Sequence, residues 1–333
     1  MTGCRSYSPL VSVVMSIYNE PLQWISCAVE SILCQSYTNL EFIVVCDNPD
    51  FEEGISYIRN IEKKDSRVRL VINASNLGPT RSFNVAIALS SGKYIARMDA
   101  DDYSLPERFA RQVEYLEAHP EVSVCATDVH NIDEKGKITR RNRYKNKQNP
   151  ALNIISTSMA HPSVMFRRSL LEFRDPIYNE EYRFSQDYEL WTSLILEGHK
   201  FHTLEEVLLH YRRSSSQISS SKKKVQVECF KRAHRTFILK WLTQKGIITE
   251  EDSSDLKLML NKVTEAIGKA EGQDKEYLRL IAYVFYFSLG SDSWKYRFKY
   301  LFDRNLLVFR IGFMHTFRLF VSRKTRRSRT GFN

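Results

Sequence analysis

The sequence predicts an α/β protein with a mostly parallel sheet flanked by helices, followed by a C-terminal helical region. Three observations predict it. Four short apolar runs alternate with three helix-patterned segments over roughly the first 100 residues. Polar residues gather directly after each apolar run. A Ser/Lys-rich connector at 214–224 then separates this half from a stretch of helical periodicity. At 333 residues the chain can bury one large core or two modest ones. An apolar fraction of 43% and a charged fraction of 26% are ordinary for a globular protein.

The elements follow in order. Residues 12–17 (SVVMSI) form a short buried strand, and Pro21 opens a helix with Ile25, Ala28, Val29 and Ile32 at helical spacing. Residues 41–45 are a second strand, followed by a helix carrying Ile55, Ile58 and Ile61. Residues 68–72 are a third strand; a helix through Phe83, Ala86 and Ile87 then ends at Gly92, and 94–98 form a fourth. This order implies right-handed crossovers between parallel strands. A helix at 106–119 presents Phe109, Val113 and Leu116 on one face. Residues 122–126 and 137–139 flank a turn at Asp133-Glu134-Lys135-Gly136. Residues 161–166 read as another strand. Asp187 opens a helix with Leu190, Trp191, Leu194 and Ile195, closed by Gly198. The pattern is helical from Val225 onward, and the apolar run 280–287 is too short to span a bilayer. The expected divisions are 1–220, 221–290 and a basic amphipathic tail at 291–333.

The charge is unevenly placed. Residues 292–333 carry eleven Lys/Arg and two acids, nearly the whole net charge of +10. The main domain therefore shows no nucleic-acid footprint. Six cysteines lack any CxxC spacing and read as free thiols in a reducing compartment. The first ten residues lack the apolar core of a signal peptide. In the tail, Phe302, Leu306, Phe309, Phe313, Phe317 and Phe320 form one helical stripe ahead of the run 323–329. Three readings fit this tail: an interfacial helix with a polybasic end on anionic lipid, packing on the protein's own helices, or nucleic-acid binding, which is disfavoured because aromatics on a helix stripe are poorly placed to stack on bases.

In parallel α/β sheets, ligands bind beyond the carboxyl ends of the strands. There the sequence places Tyr18-Asn19-Glu20, Asp47, Asn76 with Arg81, and Asp99-Ala100-Asp101-Asp102. Carboxylates two apart at a strand end share a face and can hold a divalent cation that clamps a diphosphate. Too few to form a full cage, they suit Mn²⁺ or Mg²⁺ completed by phosphates and water. Asp187 fits either a helix cap or a general base.

Together these segments resemble a family 2 glycosyltransferase of the GT-A fold over roughly residues 9–215. The motifs are Val11-Ser12-Val13-Val14-Met15-Ser16-Ile17-Tyr18-Asn19-Glu20, Asp47, Asn76-Leu77-Gly78 with Arg81-Ser82-Phe83-Asn84, Asp99-Ala100-Asp101-Asp102, His161-Pro162-Ser163 and Ser185-Gln186-Asp187. The resemblance implies inverting transfer of a sugar from a nucleotide diphosphate, UDP in the first instance, to a hydroxyl of a cell-surface or lipid-linked glycan. It makes Asp101 the direct metal ligand, with Asp99 on the donor or the metal, and Asp187 the general base. It sets Asp47 against the base, Tyr18 and Asn19 beside the nucleoside, Arg81 toward the diphosphate or the acidic cluster, and His161 on the acceptor or diphosphate side, with Glu20 and Asn76 among the nucleotide-sugar contacts. It places the protein in the cytoplasm, peripheral at the inner face of the membrane. Three departures stand out. Cys46-Asp47-Asn48-Pro49 replaces the family's Asp-Asp-Gly-Ser, Gln186 replaces Glu, and no Gln-x-x-Arg-Trp follows Asp187. The last argues against a processive synthase.

Two other classes remain. A sugar nucleotidyltransferase should carry a Gly-rich loop after the first strand, but Tyr18-Asn19-Glu20-Pro21-Leu22 has no glycine. A non-catalytic binding module driven by the tail would not need the acidic cluster and Asp187 together.

Overall fold

A computed structural model of the chain describes residues 8–143, 159–214 and 223–272, with 274, 275, 278, 279, 281 and 282. The connector at 215–222, most of the run 280–287 and the tail 291–333 lie outside the described residues.

The first four strands and three helices alternate as expected. They are β1 (Val11–Ile17), α1 (Leu22–Leu33), β2 (Leu40–Cys46), α2 (Glu52–Glu62), β3 (Val68–Ile72), α3 (Pro79–Ala88) and β4 (Tyr94–Asp99). Then come β5 (Tyr103–Ser104), α4 (Arg108–Ala118), β6 (Val122–Ile132), β7 (Ile138–Asn142), β8 (Met165–Arg167), α5 (Gln186–Leu196) and β9 (Lys200–Arg212). Two helices follow, α6 (Lys223–Gln244) and α7 (Leu256–Lys269).

All these strands join one sheet in the order β3-β2-β1-β4-β8-β6-β9-β5, with β7 on β6. β3, β2, β1 and β4 are mutually parallel. Beyond β4 the sheet is mixed: β8 runs antiparallel to both β4 and β6, while β9 runs parallel to β6. On β1, Val11, Val13, Met15 and Ile17 face a core built with Ile25, Val29 and Ile58. Val14 faces the other core, with Phe83, Ile87, Leu190 and Leu194. Helices cover both faces, which is why this strand reads as one continuous apolar run.

Three local expectations change. Residues 161–166 are not one strand: a 3-10 turn, His161–Ser163, precedes β8. Pro162 fixes φ and removes a donor, while the Ser163 hydroxyl donates back to Ala160 O at 2.8 Å. The third helix stops at Ala88, four residues short of Gly92, where Ser90 Oγ donates to Ile87 O at 2.6 Å. Gly92 serves a close approach instead: a Cβ there would lie 2.7 Å from Leu10 O and from Ser12 N. Finally, β5 and β9 went unexpected, because Lys200–Arg212 carries Glu205 and Glu206 mid-strand and shows no clean alternation.

The chain divides into two compact units, 1–148 with 157–234, and 149–156 with 235–333. In the second unit, Asp255 caps α7 by accepting from Lys257 N and Leu258 N at 2.8 and 3.0 Å. No described helix is long and apolar enough to cross a membrane. The five described cysteines are free.

Candidate active site

Strand register puts the polar residues at one level. Ser16 pairs with Asp99, and Ile17 pairs with Cys46. Tyr18-Asn19-Glu20, Asp47 and the acidic cluster therefore leave the sheet along one edge.

Asp99, the last residue of β4, is met by a buried guanidinium. Arg97 is 5% exposed, and its Nε and Nη2 both lie 3.0 Å from Asp99 Oδ1. The two side chains share a strand face because they are two residues apart. Arg97 Nη1 lies 2.6 Å from His161 Nε2, and its guanidinium sits 3.8 Å from the Phe83 ring centroid. Arginine only donates, so His161 Nε2 accepts and the imidazole carries its proton on Nδ1. That N–H is buried with no partner among the described residues. Burial, then the Arg97 charge, holds the His161 pKa well below its ordinary value, so the ring is neutral.

Asp187 lies in the first turn of α5, after the N-cap Ser185. The adjacent Tyr188 backbone N–H favours the charged form of its carboxyl. Burial raises its pKa and Asp99 pushes it further up, while Arg97 opposes the rise. One guanidinium thus acts on both Asp99 and Asp187, which are far apart in sequence.

The neighbouring acids have separate fates. Asp101 is partly exposed, and its backbone carbonyl accepts from Arg212 Nε at 2.7 Å. Asp102 is fully buried; its Oδ1 accepts from Arg212 N at 2.8 Å, and its Oδ2 has no hydrogen-bond partner among the described residues. Burial, then Asp101 and Asp99, pushes its carboxyl well above the usual range. Arg108, also fully buried, donates to Arg97 O at 2.8 Å; burial draws its pKa down to about 9, which leaves it charged at neutral pH. Asp102 is an internal brace, whereas Asp99 and Asp101 are each partly exposed.

Glu20 is half-buried, and its Oε2 accepts from Tyr18 N at 2.7 Å. Burial raises its pKa, and Asp99 adds to the rise. Tyr18 is 42% exposed, and Asn19 Oδ1 accepts from Asn48 Nδ2 at 2.6 Å. Asn76 is exposed. Asp47 is only 3% exposed and turned inward: Asn73 Nδ2, Leu77 N and Gly78 N all donate to it at 2.8 Å. The reason lies in α3, whose N-cap is Gly78 with no side-chain cap; the carboxylate satisfies the turn entering the helix. Gly78 has φ +84°, and a Cβ there would meet Arg183 Nε at 2.7 Å. Arg81 is likewise committed, to Glu180 at 2.7 Å.

Asp99, Asp187, His161 and Glu20 therefore belong to one electrostatic cluster. Asp47 and Arg81 are held by partners beside it. Arg97, Arg108 and Arg212 were missed by sequence reasoning. For Arg97 a signal existed: a charged residue inside the apolar run of β4, spaced two from an acid.

No group of three or more His, Cys, Asp or Glu among the described residues forms a closed metal cage. The partly exposed pair Asp99 and Asp101 fits a partial shell: Asp99 Oδ2 lies outside the Arg97 contacts, and Asp101 is two residues further on.

Residues 12–174 match the family model described as Glycosyl transferase family 2. An uncharacterized glycosyltransferase of Methanocaldococcus jannaschii is 37% identical over 207 residues, 61% of this chain and 71% of that one. One from Haemophilus influenzae is 31% identical over 84% of this chain and 87% of its own. An Escherichia coli O-antigen biosynthesis glycosyltransferase is 29% identical over 69% and 90%. Among solved structures, S. aureus TarS 1–349 in complex with UDP aligns with a TM-score of 0.54 at 18% identity, covering 83% of this chain and 88% of that one. The Pyrobaculum calidifontis mannosyltransferase complex with GDP-Man and Mn²⁺ also gives 0.54, at 16% identity, covering 96% and 89%. At these identities the structural matches speak for the fold.

Proposed function

Because the chain belongs to glycosyl transferase family 2 and has its GT-A fold, we propose that it is an inverting transferase using a UDP-sugar. The acceptor would be a hydroxyl of a lipid-linked or cell-surface glycan, a reading supported by the O-antigen relative. One observation carries the proposal: Arg97 joins the donor-side acid Asp99 to the region of Asp187, whose raised pKa suits a base.

In this reading Asp187 takes the acceptor proton as the hydroxyl oxygen bonds to the anomeric carbon. The anomeric carbon–phosphate oxygen bond breaks on the opposite face, and the nucleoside diphosphate leaves. Asp99 and Asp101 would hold Mn²⁺ or Mg²⁺, which supplies positive charge to the leaving diphosphate oxygens. Arg97 orients Asp99 through its Nε and Nη2 contacts. Neutral His161 supports Arg97 without adding positive charge. Tyr18 offers an exposed ring to the nucleoside, Asn19 and Asn76 offer amides along the same edge, and Asp47 shapes the base pocket by bracing the Leu77–Gly78 turn.

Titration calorimetry with UDP-glucose, UDP-N-acetylglucosamine and GDP-mannose, with and without Mn²⁺, tests the reading. The expected result is metal-dependent binding of at least one UDP-sugar, tighter than GDP-mannose. Failure of all three to bind with metal present would rule it out.

We further propose that the tail holds the protein on anionic membranes. Five basic residues at 323–329 would each contribute about 1 kcal/mol near such a surface. The full chain should co-sediment with phosphatidylserine vesicles at low salt and release at high salt. Replacing those five residues by Gln should abolish sedimentation. Unchanged sedimentation would leave the stripe to self-packing.

A further inference from the structure

A row of cyclic side chains crosses the sheet next to the acidic cluster. Tyr103 on β5 pairs with His210 on β9, and His210 pairs with His130 on β6. Residues directly opposite on neighbouring strands share a face, so the three rings lie side by side. Tyr103 and His210 have centroids 5.9 Å apart and tilted by 33°; His210 and His130 are 5.6 Å apart at 29°. On β7, Arg141 pairs with His130 and closes the far end, its Nη2 3.6 Å from Asp128 Oδ2.

The row starts at the site. Tyr103 is two residues from Asp101, so their Cα atoms are within about 7 Å. β9 is tied to the acids by Arg212, which lies two residues past His210 and bonds both Asp101 O and Asp102 Oδ1. Tyr103 is 37% exposed, the two histidines are half-buried, and His130 Nδ1 is a buried atom with no partner among the described residues.

We propose that Tyr103, His210 and His130 form a stacking platform for pyranose units of the acceptor. This rests on the glycosyltransferase reading above and adds the acceptor side to it. A pyranose has an apolar face of axial C–H groups, and those hydrogens are drawn to the electron-rich face of an aromatic ring. Burial and the neighbouring His130 lower the His210 pKa, so that ring stays uncharged rather than becoming a hydrated cation. The neutral His210 imidazole also offers one donor and one acceptor to sugar hydroxyls. The ring centroids, 5.9 and 5.6 Å apart, are spaced on the scale of one sugar unit. The rings and imidazole nitrogens suit a carbohydrate better than a phosphate or peptide carboxylate, since the platform itself carries no fixed positive charge between Tyr103 and His130.

Saturation-transfer NMR on the full chain tests this with methyl pyranosides of glucose, galactose, mannose and N-acetylglucosamine, added without donor. Wild type should transfer saturation to the ring C–H protons of at least one. Tyr103→Ala should lower that transfer at least fivefold, and His210→Gln should also lower it. Both variants should keep UDP–Mn²⁺ affinity within twofold of wild type by calorimetry. The platform is overturned if no pyranoside responds in wild type, or if Tyr103→Ala responds as wild type does. Loss of UDP affinity in Tyr103→Ala would assign the rings to the nucleobase instead. Absence of UDP binding in wild type would count against the donor reading alone, because the pyranoside measurement uses no nucleotide.

Discussion

Asp187→Asn is expected to keep nucleotide-sugar affinity and lose about 10² to 10⁴ in turnover, the usual worth of a positioned base. The amide has nearly the same size and shape as the carboxylate in the first turn of α5, so the helix should persist. It cannot take the acceptor proton. In wild type the folded pKa of Asp187 is raised, so the native state is penalised progressively as pH rises above the unfolded carboxylate range. Asparagine removes that penalty, and the variant should melt no lower than wild type at neutral pH. Lost turnover with retained melting temperature separates chemistry from folding. Wild-type activity should fall as pH drops through the Asp187 pKa, which burial raises above the ordinary aspartate range, and the residual activity of the variant should lack that limb. Single-turnover transfer within threefold of wild type would leave Asp187 as a helix-opening acid only.

Asp101→Asn should remove metal-dependent donor binding while leaving the fold intact. A hard cation needs the full charge of its carboxylate ligands, and with Asp99 Oδ1 already shared with Arg97 there is little to spare. Replacing one of two partly exposed acids by an amide should weaken UDP–Mn²⁺ affinity at least tenfold in calorimetry. Affinity without metal should not change. Stability should hold because Arg212 bonds the Asp101 backbone carbonyl, which the substitution leaves in place. Metal-dependent affinity equal to wild type would remove Asp101 from the ligand set.

The contrast between Asp101 and Asp102 shows where sequence reading stops. Adjacent identical residues look interchangeable in the string, yet one is partly exposed and the other fully buried. The difference comes from β9, which brings the Arg212 backbone N–H to Asp102 Oδ1. That strand has acids mid-run and register shifts against β6, so no alternation announces it. Asp47 teaches the same point. Its place at the end of β2 was legible, but its commitment to the turn entering α3 depends on a helix that starts without a capping side chain.

By itself the sequence determined the alternation of the first four strands with three helices, the acids at the end of β4 and a place for Asp187 at the start of a helix, where the structure makes Ser185 the N-cap and Asp187 a first-turn residue. Those features rest on local periodicity, strand length and turn chemistry, which neighbouring residues dictate. Only the tertiary structure decided that β8 inserts antiparallel beside β4, that Arg97 touches both Asp99 and His161, and that Tyr103, His210 and His130 align across three strands. These depend on pairings between distant segments, set by burying two sheet faces at once and by finding partners for every charge that burial strips of water.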